Sequence, residues 1–130
     1  MMNTKMMAPR AMAIAAGLAV TTLAAGAQTL TPLTLDLPGE AERTTVAYAC
    51  KTGAAADAEP LSVEYINLPD NNFALLPIDG KPTLFVGVLA GSGAKYVAND
   101  MVWWTKGPRG DLYSERAPDA ADRTVCQVQR

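Results

Sequence analysis

The 130-residue sequence contains no histidine, only two cysteines and few aromatic residues. Histidine is the commonest general base and zinc ligand in proteins, so its absence excludes Ser-His-Asp and Cys-His catalysis within this chain. Two cysteines without histidine are also too few for a usual zinc site. We therefore expect no metal, no cofactor and no enzymatic activity, and the aromatic content of 6% predicts a modest core.

The sequence also lacks an excess of basic residues. Eleven lysines and arginines stand against thirteen aspartates and glutamates, for a formal charge of −2. Lys5 and Arg10 lie in the first 27 residues, so the remaining chain carries nine basic and thirteen acidic residues, a charge of −4. Because nucleic-acid binding usually needs a basic surface, we expect no nucleic-acid partner.

The N-terminus has the pattern of a secretory signal peptide. A basic start is followed by an apolar run at 11–20 and by the small residues Ala25, Gly26 and Ala27. The run is shorter than the roughly 20 residues that a membrane span requires. No cysteine stands at the predicted cleavage point near Ala27 to accept a lipid. We expect residues 1–27 to be removed, leaving a periplasmic protein without a membrane anchor.

The two cysteines, Cys50 and Cys126, lie 76 residues apart near the two ends of the remaining 103-residue chain. In a small exported domain such a pair predicts one structural disulfide. The bridge would join the first strand to the last. By loop-closure entropy it would stabilise the fold by about 4 to 5 kcal/mol.

Residues 28–42 contain prolines and glycine without a clear period and predict a flexible lead-in to a domain at 43–130. Within the domain, side chains alternate between apolar and polar in short runs, as in half-buried strands. Asp79-Gly80 predicts a tight hairpin turn, and Gly107, Pro108 and Gly110 predict another break. The strands are expected around 45–50, 61–65, 73–78, 83–89, 94–97, 101–106, 111–116 and 123–128.

Eight short strands and no helical stripe predict an all-β fold. Closure into a small antiparallel eight-stranded β-barrel with one disulfide would remove exposed strand edges. Trp103 and Trp104 are consecutive, so they should point to opposite faces of their strand, one into the core and one to the rim. A barrel of this size is filled by its own side chains or holds at most one small ligand, and we expect binding at a rim loop.

Two motifs resemble those of the membrane-bound and periplasmic inhibitors of c-type lysozyme. They are the Ser-Gly-x-x-Tyr turn at Ser92–Tyr96 and the Trp-Trp-Thr-Lys-Gly strand end at Trp103–Gly107. The likeness extends over roughly 44–129 and includes Tyr48-x-Cys50, Val63-x-Tyr65 with Asn67, Ala74-Leu75-Leu76 and Cys126-Gln127. In one difference, Met101 stands where the family commonly has tyrosine. The missing lipid-attachment cysteine places the chain nearer to the periplasmic members.

The resemblance implies a proteinaceous inhibitor of c-type lysozyme. In this family a serine loop and a lysine strand end enter the lysozyme cleft and engage its catalytic carboxylates, which places Ser92 and Lys106 at the contact. The residues expected to support this contact are Gly91, Gly93, Tyr96, Thr105 and Gly107. Tyr96 is expected to brace the loop and not to touch the partner.

Two other functions compete with inhibition. A Ser92–Lys106 catalytic dyad would need a neutral, buried lysine, whereas a lysine beside Gly107 at a strand end should be solvated. A non-enzymatic envelope module that binds glycans or another partner would use an exposed Trp103 or Trp104 to stack on a sugar ring. The sequence leaves open whether the barrel acts as a monomer or as a homodimer.

Overall fold

The computed structural model describes residues 30–55, 57–117 and 119–130. The predicted signal segment at 1–27 lies outside the described residues. No helix in the described part of the chain is long and apolar enough to cross a membrane. The described elements are β1 (Glu42–Thr52), β2 (Glu59–Asn67), β3 (Asn72–Ile78), β4 (Lys81–Val88), β5 (Ala94–Ala98), β6 (Met101–Lys106), β7 (Arg109–Ser114), a 3₁₀ helix (Ala120–Asp122) and β8 (Thr124–Val128).

Consecutive strands pair antiparallel, and β1 pairs with both β2 and β8, which closes the barrel. Cys50 and Cys126 stand directly opposite each other on β1 and β8 and are joined by a disulfide. Both cysteines are buried. The predicted eight-stranded antiparallel barrel, with its first and last strands tied by the Cys50–Cys126 bridge, is therefore confirmed.

Alternate residues of each strand fill the barrel, so the interior is a packed core. Trp103 is the largest fully buried side chain. Its partner Trp104 is half-buried on the opposite face of β6, as predicted for two consecutive strand residues. The buried cluster around Trp103 contains Tyr48, Cys50, Val63, Ala74, Leu76, Phe85, Tyr96 and Cys126.

Three polar groups inside the barrel satisfy one another. The Trp103 indole N–H donates to the Tyr65 hydroxyl at 2.9 Å, and the Tyr65 and Tyr48 hydroxyls are 2.8 Å apart. The Tyr48 ring also meets the Trp103 ring edge-on, with 5.2 Å between centroids. Because buried polar groups are costly when unpaired, this network favours one arrangement of the core.

Two tight turns have the backbone that their residues favour. Asp79 and Gly80 join β3 to β4 with φ of +49° and +75°, the two positive values of a type I′ hairpin turn. Gly107, at φ +55°, precedes Pro108 between β6 and β7, which fits a type II′ turn with glycine at its first central position. The predicted Asp79-Gly80 hairpin is confirmed.

Gly110 was expected to break the chain, and this expectation is wrong. Gly110 is buried within β7, opposite Cys126 on one side and Thr105 on the other. A Cβ at this position would overlap the six-membered ring of Trp103. The glycine therefore makes room for the large core side chain, and β7 begins at Arg109.

Several strand boundaries also differ from the prediction. β1 begins at Glu42, one residue inside the predicted lead-in, and continues to Thr52, which pairs with Thr124 on β8. The hydroxyls of these two threonines are 2.7 Å apart. β2 begins at Glu59, and β7 ends at Ser114. Residues 30–41 form neither a helix nor a strand.

Gly110→Ala should destabilise the barrel by about 1 to 3 kcal/mol, because the added methyl overlaps Trp103 in a packed core. Urea unfolding measures this loss. The matched control is the same substitution in a Trp103→Leu background, where the smaller side chain leaves space for the methyl. An equal loss in both backgrounds would show that Gly110 does not act through Trp103.

Alkaline pH should weaken the fold. Burial raises the pKa of both Tyr65 and Tyr96 above its usual value. The unfolded chain releases these protons near pH 10 while the folded chain retains them, so the free energy of unfolding should fall as the pH rises above 10. Urea midpoints at pH 8 and pH 11 test this, and Tyr96→Phe should reduce the slope. A midpoint unchanged at pH 11 would contradict the prediction.

Candidate functional site

The chain topology brings two connections to the same end of the barrel. In a closed antiparallel meander, the connections that follow β2, β4 and β6 share one end. The β4–β5 loop at 89–93 carries Ser92, and the β6–β7 turn begins just after Lys106. Ser92 and Lys106 are both exposed. Strand pairing between β5 and β6 thus holds these two segments beside each other.

Gly93 is the point of closest approach between the loop and β6. Its φ is +65°, and a Cβ placed there would overlap the Thr105 carbonyl oxygen and lie 2.8 Å from the Lys106 Cγ. A side chain at this position would push the loop away from the strand. Because Gly93 has no side chain, the loop that carries Ser92 packs directly on the end of β6.

Trp104 joins the same two segments from the outer face of β6. Its indole N–H donates to the Ser92 carbonyl oxygen at 2.9 Å. The Lys106 ammonium lies over the Trp104 ring at 4.5 Å from the centroid, within the range of a cation–π interaction. Lys95, opposite Trp104 on β5, places its ammonium 5.6 Å from the same ring.

The cations around this site differ in their partners. The Lys95 ammonium is 3.4 Å from a Glu115 carboxylate oxygen, and the Arg109 guanidinium is 3.0 Å from Asp111. Within residues 30–55, 57–117 and 119–130, no carboxylate lies within ion-pair distance of Lys106. Lys106 therefore presents an exposed positive charge that no acid among these residues neutralises.

The other predicted site residues lie in three different surroundings. Thr105 donates from its hydroxyl to the Ala94 carbonyl at 3.4 Å, close to the Gly93 contact. Gly91 and Gly107 have open space around them. Tyr96 is 7% exposed, and its ring lies 5.7 Å from the Tyr65 ring inside the barrel, which places it in the core.

Trp104 and Lys95 are the site residues that sequence reasoning missed. Strand alternation predicted that one of Trp103 and Trp104 would be partly exposed at the rim, without indicating which, and this is the signal that was available. The hydrogen bond from Trp104 to Ser92 crosses 12 residues of chain, and only the β5–β6 hairpin brings its two partners together.

The described residues contain no group of three acidic or cysteine side chains placed to hold a metal ion. Residues 91–93 and 104–107 lie beside each other at this end of the barrel, and we call this surface the rim. Binding residues often lie on loops that a rigid scaffold positions, as the disulfide-closed barrel does here.

Comparison with known proteins identifies the family. The family model described as membrane-bound lysozyme-inhibitor of c-type lysozyme matches residues 48–121. The membrane-bound lysozyme inhibitor of C-type lysozyme from Pseudomonas aeruginosa is 37% identical over 97 residues, which cover 72% of each chain. The protein of the same name from Cupriavidus necator is 46% identical over 67 residues, 52% of this chain and 50% of that protein.

A solved structure agrees with this assignment. The crystal structure of Pseudomonas aeruginosa MliC in complex with hen egg white lysozyme matches with a TM-score of 0.60 and 28% identity, covering 79% of this chain and 99% of that chain. The chain therefore belongs to the family of membrane-bound lysozyme inhibitors of c-type lysozyme. Its curated relatives are named as inhibitors and not as enzymes.

Gly93→Ala should displace the loop from β6, because both its positive φ and the overlap with Thr105 oppose a side chain. We expect a loss of about 1 to 3 kcal/mol in unfolding free energy and a shifted Trp104 indole resonance in the NMR spectrum. Gly91→Ala is the matched control in the same loop, since its Cβ would meet open space. Equal effects of the two substitutions would refute the close approach.

Proposed function

We propose that this protein inhibits c-type lysozyme by placing the rim in the active-site cleft, with Ser92 and Lys106 at the catalytic carboxylates. The observation that carries the proposal is that Gly93 and Trp104 join the Ser92 loop and the exposed Lys106 into one surface. Among the described residues, Lys106 has no carboxylate partner. The names of the curated relatives and the lysozyme complex of the P. aeruginosa protein support it.

The chemistry of the target suits these two side chains. C-type lysozyme cleaves its substrate with two carboxyl groups, one protonated as the general acid and one ionised. An ammonium group pairs with the ionised carboxylate in a charge-assisted hydrogen bond. A hydroxyl both donates and accepts, so Ser92 is able to bind a carboxyl group in either protonation state. Together the two contacts would occupy the groups that hydrolysis requires.

In this proposal, three of the supporting residues set the backbone geometry of the rim. Gly93 and Thr105 fix the distance between the loop and β6, and Gly107 forms the turn that ends the lysine strand. Gly91 leaves the approach to Ser92 open. Tyr96 braces the loop from the core, where its burial keeps it from contact with a partner.

Charge favours the encounter. C-type lysozymes are usually strongly basic, whereas the chain after residue 27 has a net charge of −4. Long-range attraction between opposite charges raises the rate of association. Lys106 is then the local exception, a positive group carried by an acidic protein to the carboxylates of a basic one.

Export would bring the inhibitor to its target. The signal pattern at 1–27 supports cleavage near Ala27 and release into the periplasm. The relatives are named membrane-bound, but both cysteines of this chain form the disulfide, and neither is free to carry a lipid. We infer a periplasmic inhibitor without a lipid anchor. Pairing of two copies into a homodimer stays a prediction.

Glycan binding by an exposed tryptophan has less support. Trp103 is fully buried, and the Trp104 ring already has the Lys106 ammonium 4.5 Å from its centroid. Stacking on a sugar ring would have to displace that contact. The geometry therefore favours a role for Trp104 within the protein.

Lys106→Ala should weaken inhibition several-fold to hundreds-fold, about 1 to 3 kcal/mol, if the ammonium is desolvated against a carboxylate. Ser92→Ala should weaken it about fivefold through one lost hydrogen bond. Lysis of lysozyme-sensitive cells by hen egg white lysozyme, with increasing concentrations of purified inhibitor, measures both effects.

Lys81→Ala is the control for net charge, because Lys81 is an exposed lysine at the opposite end of the barrel. It should inhibit like the wild type. Equal inhibition by the Lys106→Ala variant would remove Lys106 from the contact. No inhibition by the folded, disulfide-bonded wild type would reject the proposed function.

A further inference from the structure

Trp104 is the side chain that touches both halves of the rim. It donates a hydrogen bond to the Ser92 carbonyl oxygen at 2.9 Å, and its ring lies beneath the Lys106 ammonium at 4.5 Å. The two contacts use different parts of the indole, the N–H for the loop and the π face for the lysine. Both can therefore be made at once and removed separately.

The geometry points to Trp104 as a positioning residue, which holds the Ser92 loop and the Lys106 side chain in their binding arrangement before a partner arrives. This inference rests on the proposed inhibition of c-type lysozyme and adds to it the residue that prepares the contact. Trp104 itself need not touch lysozyme.

The two groups that Trp104 contacts are both exposed to solvent. Ser92 lies in an exposed loop between two glycines, and Lys106 is an exposed lysine without a carboxylate partner among the described residues. Ordering such groups on binding costs conformational entropy, and ordering them in advance reduces that cost. A fixed loop and a fixed ammonium would therefore raise the fraction of molecules that are ready to bind.

Lys95 stabilises the arrangement from the neighbouring strand. Its ammonium lies 5.6 Å from the Trp104 centroid and 3.4 Å from Glu115. The ion pair gives this second cation a partner of its own. Lys95 thus packs beside Trp104, while Lys106, which has no carboxylate partner in the part of the chain that the structure describes, stays exposed at the rim.

The strand frame keeps Trp104 in place. Trp104 is opposite Lys95 on β5 and Asp111 on β7, so its backbone is paired on both sides. Burial of Trp103 fixes which face of β6 points outward. A substitution of Trp104 should therefore leave the barrel folded and change the rim.

The test compares Trp104→Phe with Trp104→Leu. Phenylalanine keeps an aromatic face for Lys106 and loses the N–H donor, whereas leucine loses both contacts. We expect the association rate with hen egg white lysozyme to fall about fivefold for Trp104→Phe and about tenfold or more for Trp104→Leu. Dissociation should change less than association, because the contacts with lysozyme themselves are retained.

Double substitutions test whether Trp104 acts through its two neighbours. The loss caused by Trp104→Leu should shrink in a Lys106→Ala background, because the ammonium that it positions is already absent. The loss caused by Trp104→Phe should shrink likewise in a Ser92→Ala background. Losses that simply add in both pairs would overturn the inference and leave Trp104 as an independent contact.

Tyr113→Leu is the matched control. Tyr113 is a half-buried aromatic residue on β7 with the Arg123 guanidinium 4.4 Å from its ring, so its removal also deletes a cation–π contact, but away from the rim. Lysozyme association should stay at the wild-type rate. An equal decrease in the control would assign the effect of Trp104 to general weakening of the barrel.

A measurement on the free protein separates this inference from the proposed function. The ¹H–¹⁵N heteronuclear NOE of the Ser92 and Gly93 amides should fall in Trp104→Phe and Trp104→Leu and stay high in Tyr113→Leu. Unchanged loop order in both Trp104 variants would overturn the positioning role even if lysozyme is inhibited. If the wild type fails to bind lysozyme while the loop loosens as expected, the proposed function fails and the positioning role stands.

Discussion

Burial of Trp103 is the constraint on which the rest of the structure depends. Its indole fills the centre of the barrel, donates to Tyr65 and lies over Gly110, where no larger residue fits. Because strand side chains alternate, an inward Trp103 obliges Trp104 and Lys106 to face outward. A one-residue slip of β6 would exchange the two tryptophans between core and surface and would separate the lysine from the loop.

The disulfide and the rim belong to one continuous row of paired residues. Cys50 stands opposite Cys126, Cys126 opposite Gly110, Gly110 opposite Thr105, and Thr105 opposite Ala94. The row runs from the closure of the barrel to the strand beside the serine loop. A domain of this size has a small core, and the covalent closure gives its loops a rigid base. The rim is therefore held by the same pairing that closes the fold.

The sequence alone predicted most of the barrel: its strands, one of its hairpins and its closure. Alternation located the strands, Asp79-Gly80 identified a hairpin, and the two cysteines indicated the closure. Gly110 was misinterpreted because a glycine that opens a turn and a glycine that makes room for a core ring look alike in sequence. The contact of Trp104 with Ser92 was missed because it depends on the pairing of two strands across a hairpin, and local patterns carry no such information. The roles of Ser92 and Lys106 were predicted only from the resemblance to the family.

The proposed binding surface can be mapped directly by NMR. One equivalent of hen egg white lysozyme is added to the ¹⁵N-labelled protein, and the amide and indole resonances are followed. If the rim enters the cleft, the largest perturbations should fall on residues 91–93 and 104–107, with little change along β2 and β3. Binding that leaves the rim unperturbed and shifts the resonances of β2 and β3 would contradict the proposed mode of inhibition.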